Sequence, residues 1–282
     1  MAQHAMTDRV ARALRLRAAG VRAFIRAERT LLGWNRGQRT RLPSLAADRV
    51  PVIFCTWHRL ERLPRTLAML AAQDIPVQAL VWNNSPDRAA VEAAVAGASI
   101  PVVLHHNPRN VGGFGRFYLA REAAEQGHGS VVFIDDDQDF GTSAISDLLA
   151  HHRPRSLSGW WAFRLPQLDF WHQEVAAPGE IASYVGTGGM VADATIFRDA
   201  RLFGCPRRFW FVEDVWLCYY ASHVAGYGLF KSPAQFELID DGRDQFPSLA
   251  WVKDRLMRWV IRQGWQPPGT RDQSPLASHP SA

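Results

Sequence analysis

From Val50 onward the chain alternates between short apolar runs and stretches with helical spacing. Val50–Cys55, Val77–Trp82, Pro101–His105 and Val131–Ile134 are the apolar runs, and each has the length and bounding turns of a strand. Between them, Arg62–Gln73, Asp87–Ala96 and Gly115–Gln126 repeat apolar side chains at helical intervals, with Pro64 tolerable in a first turn. Strand–helix alternation with short connections predicts an α/β domain built on a mostly parallel central sheet flanked by helices. In such sheets ligands bind beyond the carboxyl ends of the strands, so the informative residues are those following Cys55, Trp82, His105 and Ile134.

The pattern loosens after residue 150. Gly159–Phe163, Ile181–Val185 and Met190–Ala192 read as short strands, and Val215–His223 and Leu249–Arg262 as helices. Ahead of the domain, residues 5–32 space Val10, Leu14, Val21, Phe24, Ile25 and Leu32 as one apolar helical face with arginines covering much of the rest. The expected organisation is a basic amphipathic helix and linker over 1–49, a main domain over 50–240, a C-terminal helix over 241–265 and a Pro- and Ser-rich disordered tail over 266–282.

Charge sharpens this picture. The chain has 282 residues and a formal charge of +5, but residues 1–49 alone carry +8 and the remainder −3. A nucleic-acid binder of this size needs a basic body, and this body is slightly acidic. No run reaches the ~18–20 apolar residues of a spanning helix, and the N-terminus lacks the pattern of a secretory signal. The 3 cysteines, Cys55, Cys205 and Cys218, form no CxxC pair, which fits a reducing, cytoplasmic setting better than a disulfide scaffold or a zinc site.

The strongest chemical signal is the run VVFIDDDQDF over 131–140, in which Asp135, Asp136 and Asp137 leave an apolar strand together. In extended chain Asp135 and Asp137 point the same way. Two carboxylates ~4 Å apart repel by about 4 kcal/mol at an effective dielectric of 20, and a hard divalent cation that also takes substrate phosphates removes that cost. An inert solvated acidic loop is the plainer alternative. A calcium loop fails, because Phe140 and Ser146 stand where Gly and Glu are needed, and an aspartyl-phosphate DxDxT pattern fails at Asp139.

A second acidic pair, Glu213 and Asp214, opens a predicted helix within WFVEDVW. It reads either as a helix-end cap or as a general base with a neighbour that binds acceptor hydroxyls. Trp210, Phe211 and Trp216 could wall the base and raise its pKa, while the helix dipole would lower it. Asn110–Arg116 and Gly186–Gly189 are glycine-bearing loops, and neither completes a dinucleotide fingerprint or a phosphate loop. Arg59 in the turn after the first strand could meet a diphosphate or face solvent.

In order along residues 50–230, these segments resemble the family 2 nucleotide-sugar glycosyltransferases of bacteria, which have the GT-A fold. PVIFCTWHRLERLPRTLAMLAAQ resembles the opening strand, turn and helix; ALVWNNSPD the nucleobase-binding loop; HHNPRNVGGFGRFYLARE the Asn-x-Gly segment; VVFIDDDQDF the DxD strand; YVGTGGMVADATIF the acceptor segment; and FWFVEDVWLCYYASHVAGYG the helix that carries the base.

The resemblance implies an inverting, metal-dependent transfer of a sugar from a nucleoside-diphosphate donor, UDP- or dTDP-linked, to a hydroxyl of a glycan or lipid-linked acceptor in surface-polysaccharide synthesis. It implies that Asp137 ligates Mn2+ or Mg2+ with Asp135, that Asp135 contacts ribose or the metal shell, and that Asp136 is among the nucleotide-sugar-binding residues. Thr56, Arg59 and Asn83 would line the nucleotide pocket, and Arg116 would reach the nucleobase or diphosphate. Asp214 would deprotonate the acceptor beside Glu213, and Gly188 and Gly189 would admit acceptor and sugar to the backbone. This chain departs from the family in offering Trp82 or Asn83 where an Asp is usual, and in holding Asp240, Asp241 and Asp244 where a metal-ligating His often stands. The basic N-terminal helix would either pack on the body or lie on an anionic membrane surface. A nucleotidyltransferase of related fold would want Gly and Lys in residues 50–60, which have neither; a catalytically silent nucleotide-binding protein would not need both acidic sets.

Overall fold

The computed structural model describes residues 40–239 and 246–270, together with Ala18, Arg22 and Ile25, which are helical and exposed. The rest of the expected N-terminal helix, the acids Asp240, Asp241 and Asp244, and the tail from residue 271 lie outside the described residues.

The central sheet has seven strands in the order β11-β6-β10-β4-β1-β2-β3. These are β1 (Val50–Thr56), β2 (Val77–Asn83), β3 (Val102–His106), β4 (Ser130–Phe133), β6 (Ser156–Gly159), β10 (Met190–Asp193) and β11 (Gly228–Lys231). β4, β1, β2 and β3 run parallel in successive pairs, as do β6 and β11, while β10 is antiparallel to both its neighbours. The sheet is therefore mostly parallel, as the alternating pattern predicts. Its strands are apolar on both sides because both sides are covered. Val52, Phe54, Ala79, Val81, Val132 and Ile134 face one core with helices α1 (Leu63–Ala71), α2 (Arg88–Ala96) and α4 (Ala144–Ala150). Their alternate neighbours Ile53, Leu80, Val131 and Phe133 face the other. There they meet α3 (Gly115–Glu125), α5 (Glu213–Tyr219) and α6 (Phe246–Arg262).

Three differences from the sequence expectation bear on the site. The run Gly159–Phe163 is not one strand: the chain breaks at Trp160 and Trp161, leaving β6 in the central sheet and β7 (Ala162–Arg164) in a separate three-stranded sheet with β8 (Glu174–Val175) and β9 (Tyr184–Val185). The short strands β5 (Gln138–Phe140) and β12 (Phe236–Leu238) pair antiparallel just after the acidic run. Two-residue and three-residue strands carry too few positions for a period-2 signal, which is why the pattern missed them. The helix expected from Val215 begins two residues earlier, at Glu213, and passes into a π turn over Tyr220–Val224.

The stretch before β1 is tied to the body: the Gln78 side chain brackets Ala46, accepting from its N–H at 3.1 Å and donating to its carbonyl at 3.0 Å. After α6 the chain stays packed through Trp265, which is buried, and the Pro268 carbonyl, which accepts from Ser183 Oγ. No described helix is long and apolar enough to cross a membrane.

Candidate active site

A cavity of about 490 Å3 opens at the carboxyl ends of β1, β2 and β4. Thr56, Arg59, Arg116, Asp135, Asp136, Asp137, Gly188, Glu213 and Asp214 all line it, so segments up to 158 residues apart in sequence converge as the sheet topology requires. Two expected residues do not. Asn83 is fully buried, its side chain held by the Ser85 backbone and His106 Nδ1, and the neighbouring Asn84 lines the cavity in its place. Gly189, with φ +73°, lies behind the wall, where a Cβ would strike the Trp160 indole at 2.2 Å.

The acidic run is already embedded in positive charge. Arg59 Nη1 stands 3.5 Å from both Asp136 Oδ1 and Asp137 Oδ2. Arg116, in the first turn of α3, donates from Nη1 to Asp135 Oδ1 at 2.8 Å. Burial pushes the Asp136 carboxyl up to about 6, with Arg59 working against it. The fourth aspartate of the run, Asp139, is a structural anchor: Arg62 and Arg65 hold it at 2.6 Å and 2.5 Å. Gly188 is glycine because the acidic run presses on it; a Cβ there would sit 2.4 Å from Asp135 Oδ2. Thr56 Oγ1 is buried and has no hydrogen-bond partner among the described residues.

The second acidic pair is divided by its surroundings. Asp214 Oδ2 accepts from Lys253 Nζ at 2.6 Å and from the Tyr184 hydroxyl at 2.5 Å, and Oδ1 accepts from the Val215 N–H at 2.8 Å. Burial acts to raise its pKa, but the Lys253 charge and these bonds outweigh it and hold the carboxyl below its usual range. Glu213 has no such partner set. Burial, opposed by Arg116 with Nε at 3.7 Å and reinforced by Asp214, pushes it up to about 7. A carboxyl titrating near neutrality can exchange a proton at working pH; one clamped by an ammonium holds a proton poorly. Trp210 and Trp216 do not wall the pair: both are buried, donating to the carbonyls of Cys205 and Leu202, and Phe211 alone of the three lines the cavity. Cys55 also lines it, but burial pushes its thiol up to about 12, which removes it as a nucleophile.

Sequence reasoning missed Lys253 and Tyr184. Tyr184 lies in a two-residue strand, and Lys253 in a helix 39 positions from its partner. One signal was present: Lys231 and Lys253 are the only lysines in a chain with 32 Lys and Arg. The Lys253 ammonium is a compact point charge that donates to both the Asp214 carboxylate and the Tyr184 hydroxyl.

For a divalent cation the donor set is limited. Asp135 and Asp137 line one side of the cavity, and no group of three or more His, Cys, Asp or Glu side chains able to hold a metal occurs among the described residues. Two carboxylates with the remaining positions left to phosphate oxygens is the ordinary mode for Mg2+ in phosphate chemistry, so the residues fit an ion shared with a substrate diphosphate but not an all-protein cage.

No family model matches the chain, and no curated protein matches it. Among solved structures, a mannosyltransferase from Pyrobaculum calidifontis, determined with GDP-Man and Mn2+, aligns over 92% of this chain and 76% of its own, with a TM-score of 0.57 at 15% identity. TarS from S. aureus aligns over 76% of this chain and 65% of its own, with a TM-score of 0.51 at 17% identity. At such identities the likeness is one of fold: the chain has the mixed α/β, GT-A-like architecture of these glycosyltransferases.

Proposed function

We propose that the protein is an inverting glycosyltransferase that moves a sugar from a nucleoside-diphosphate donor to a hydroxyl acceptor. The observation that carries this reading is the meeting, in one cavity, of the Asp135–Asp137 run and its two arginines with the Glu213–Asp214 pair. The first set suits a diphosphate leaving group; the second suits removal of a proton from the attacking hydroxyl. The mannosyltransferase and TarS folds support it, as does the order of motifs along residues 50–230.

Thr56 and Asn84, at the ends of β1 and β2, are placed to hold the nucleoside. Arg59 and Arg116 stand where the diphosphate would lie against the aspartates and stabilise its growing negative charge. Asp137, with Asp135, would hold Mn2+ or Mg2+, which supplies Lewis-acid neutralisation of the departing diphosphate. Gly188 lets the sugar approach the backbone. The acceptor proton passes to the Glu213–Asp214 pair. Within it we assign the proton-accepting role to Glu213, whose environment poises it near neutrality, and to Asp214 the role of a fixed anion locked by Lys253 and Tyr184. Attack from that side, opposite the diphosphate, inverts the anomeric carbon. Glycan or lipid-linked alcohols are the acceptor class that suits this base.

A thermal-shift screen of UDP-, dTDP- and GDP-sugars with and without manganese tests the reading. Stabilisation by at least one donor that is diminished without manganese supports it, and indifference to every donor contradicts it.

A further inference from the structure

Helix α6 has two working faces. Leu249 and Lys253 line the catalytic cavity, while a second groove, of about 280 Å3, lies along the outer side. That groove is lined by Trp251, Arg255, Arg258, Trp259 and Arg262 of α6, closed by Arg208 and Phe209. The spacing 251, 255, 258, 259, 262 keeps these side chains on one stripe, about 16 Å long at 1.5 Å per residue. The opposite stripe, with Val252, Leu256, Met257 and Val260, is buried.

Arg255, Arg258 and Arg262 are exposed, and the two tryptophans are partly so. The guanidinium carbon of Arg255 lies 4.8 Å over the Trp251 ring and that of Arg208 5.0 Å over the Phe209 ring, so each charged group is stacked on an aromatic face. Asp254 is the one acid in the lining, and Arg258 holds it at 2.6 Å. Among the described lining residues, four guanidiniums stand with one carboxylate, a positive stripe on a body whose sequence from residue 50 is net acidic.

We propose that this stripe docks the protein on the phosphate headgroups of an anionic bilayer. Its length exceeds a single phosphate and matches a row of headgroups. Tryptophan bodies beneath arginine heads are the side chains that sit well at that interface, part apolar and part charged. The same helix would then bring the acidic pair of the cavity, through Lys253, close to the membrane surface. The docking does not depend on the transfer reading; its use, presenting a lipid-borne hydroxyl to that pair, does.

The test is flotation of the full chain with vesicles of phosphatidylcholine alone or mixed with phosphatidylglycerol. The wild type floats only with the anionic mixture. Arg255→Gln/Arg262→Gln weakens that partitioning about thirtyfold, the equivalent of about 1 kcal/mol per guanidinium at an anionic surface. Arg255→Lys/Arg262→Lys restores it. Arg88→Gln/Arg153→Gln, which removes two exposed arginines outside the groove, leaves it within a few-fold, and the basic N-terminal segment is common to all four proteins. Equal flotation of wild type and Arg255→Gln/Arg262→Gln overturns the proposal, as does equal loss in the two Gln variants. So does titration of inorganic phosphate into the groove by a wild type that ignores anionic vesicles, which would make it a site for a soluble phosphate. Because flotation needs no donor or turnover, its failure is separable from failure of the transferase reading.

Discussion

Replacing Glu213 by Gln should make the protein more stable at alkaline pH while crippling its chemistry. Glu213 is 5% exposed, its nearest cation, Arg116, stands at 3.7 Å and is shared with Asp135, and the Asp214 anion is its chain neighbour. These surroundings raise its carboxyl from 4.5 to about 7. An acid with a raised folded pKa binds more protons folded than unfolded between those two values, so stability falls as pH rises across that window. At about 1.4 kcal/mol per pH unit, the charged form costs roughly 3 kcal/mol above pH 7. Gln keeps the shape and removes the charge. Losing the long Arg116 contact offsets part of the gain, leaving roughly 2 kcal/mol, or a Tm about 4–8 °C higher at pH 8. Near pH 5, where Glu213 is mostly neutral, the two proteins should unfold alike. Urea unfolding at several pH values between those limits reads this directly. A variant that is less stable than wild type at pH 8, or a gap that does not narrow toward pH 5, would refute the assignment of Glu213 as a buried acid that Arg116 only partly compensates.

Lys253→Met leaves Asp214 buried without its cation and should cost about 3–5 kcal/mol in urea unfolding, with Asp214→Asn added on that background recovering much of the loss. Gly188→Ala pushes a methyl group against Asp135 Oδ2 and should weaken calorimetric donor binding at least tenfold; unimpaired binding would show that the aspartate's position is immaterial. Asp137→Asn should keep the wild-type Tm without ligand and lose the manganese-dependent part of donor stabilisation in thermal shift.

The parallel half of the sheet was legible because its strands are buried on both faces and its helices are amphipathic, so each block of sequence carries its own period. The acidic run was legible for a related reason: Asp135–Asp137 follows a wholly apolar strand, which fixes where it must emerge. The second half was legible only in part: Met190–Ala192 marks β10 and Ile181–Val185 contains β9, but β5, β8, β11 and β12 run two to four residues, and Trp160–Trp161 carry the chain from one sheet to another without a turn signal. The contrast in surroundings between Glu213 and Asp214 was illegible for a different reason. It depends on Lys253 and Tyr184, brought in by a later helix and a short strand, and no local pattern announces a partner 39 or 30 positions away. Asn83 and Asn84 show the finest failure: Asn83 is the last residue of β2 and is buried, while Asn84, the first residue beyond the strand, lines the cavity.

The central claim is that the cavity at the ends of β1, β2 and β4 binds a nucleoside-diphosphate sugar against the aspartates. Calorimetric titration of wild type and Asp135→Asn/Asp137→Asn with UDP-, dTDP- and GDP-sugars in manganese tests it most directly. The account predicts saturable one-to-one binding of at least one donor by the wild type, and its loss in the variant with no change in fold by circular dichroism. Binding of equal strength in both proteins, or none in either, would contradict it.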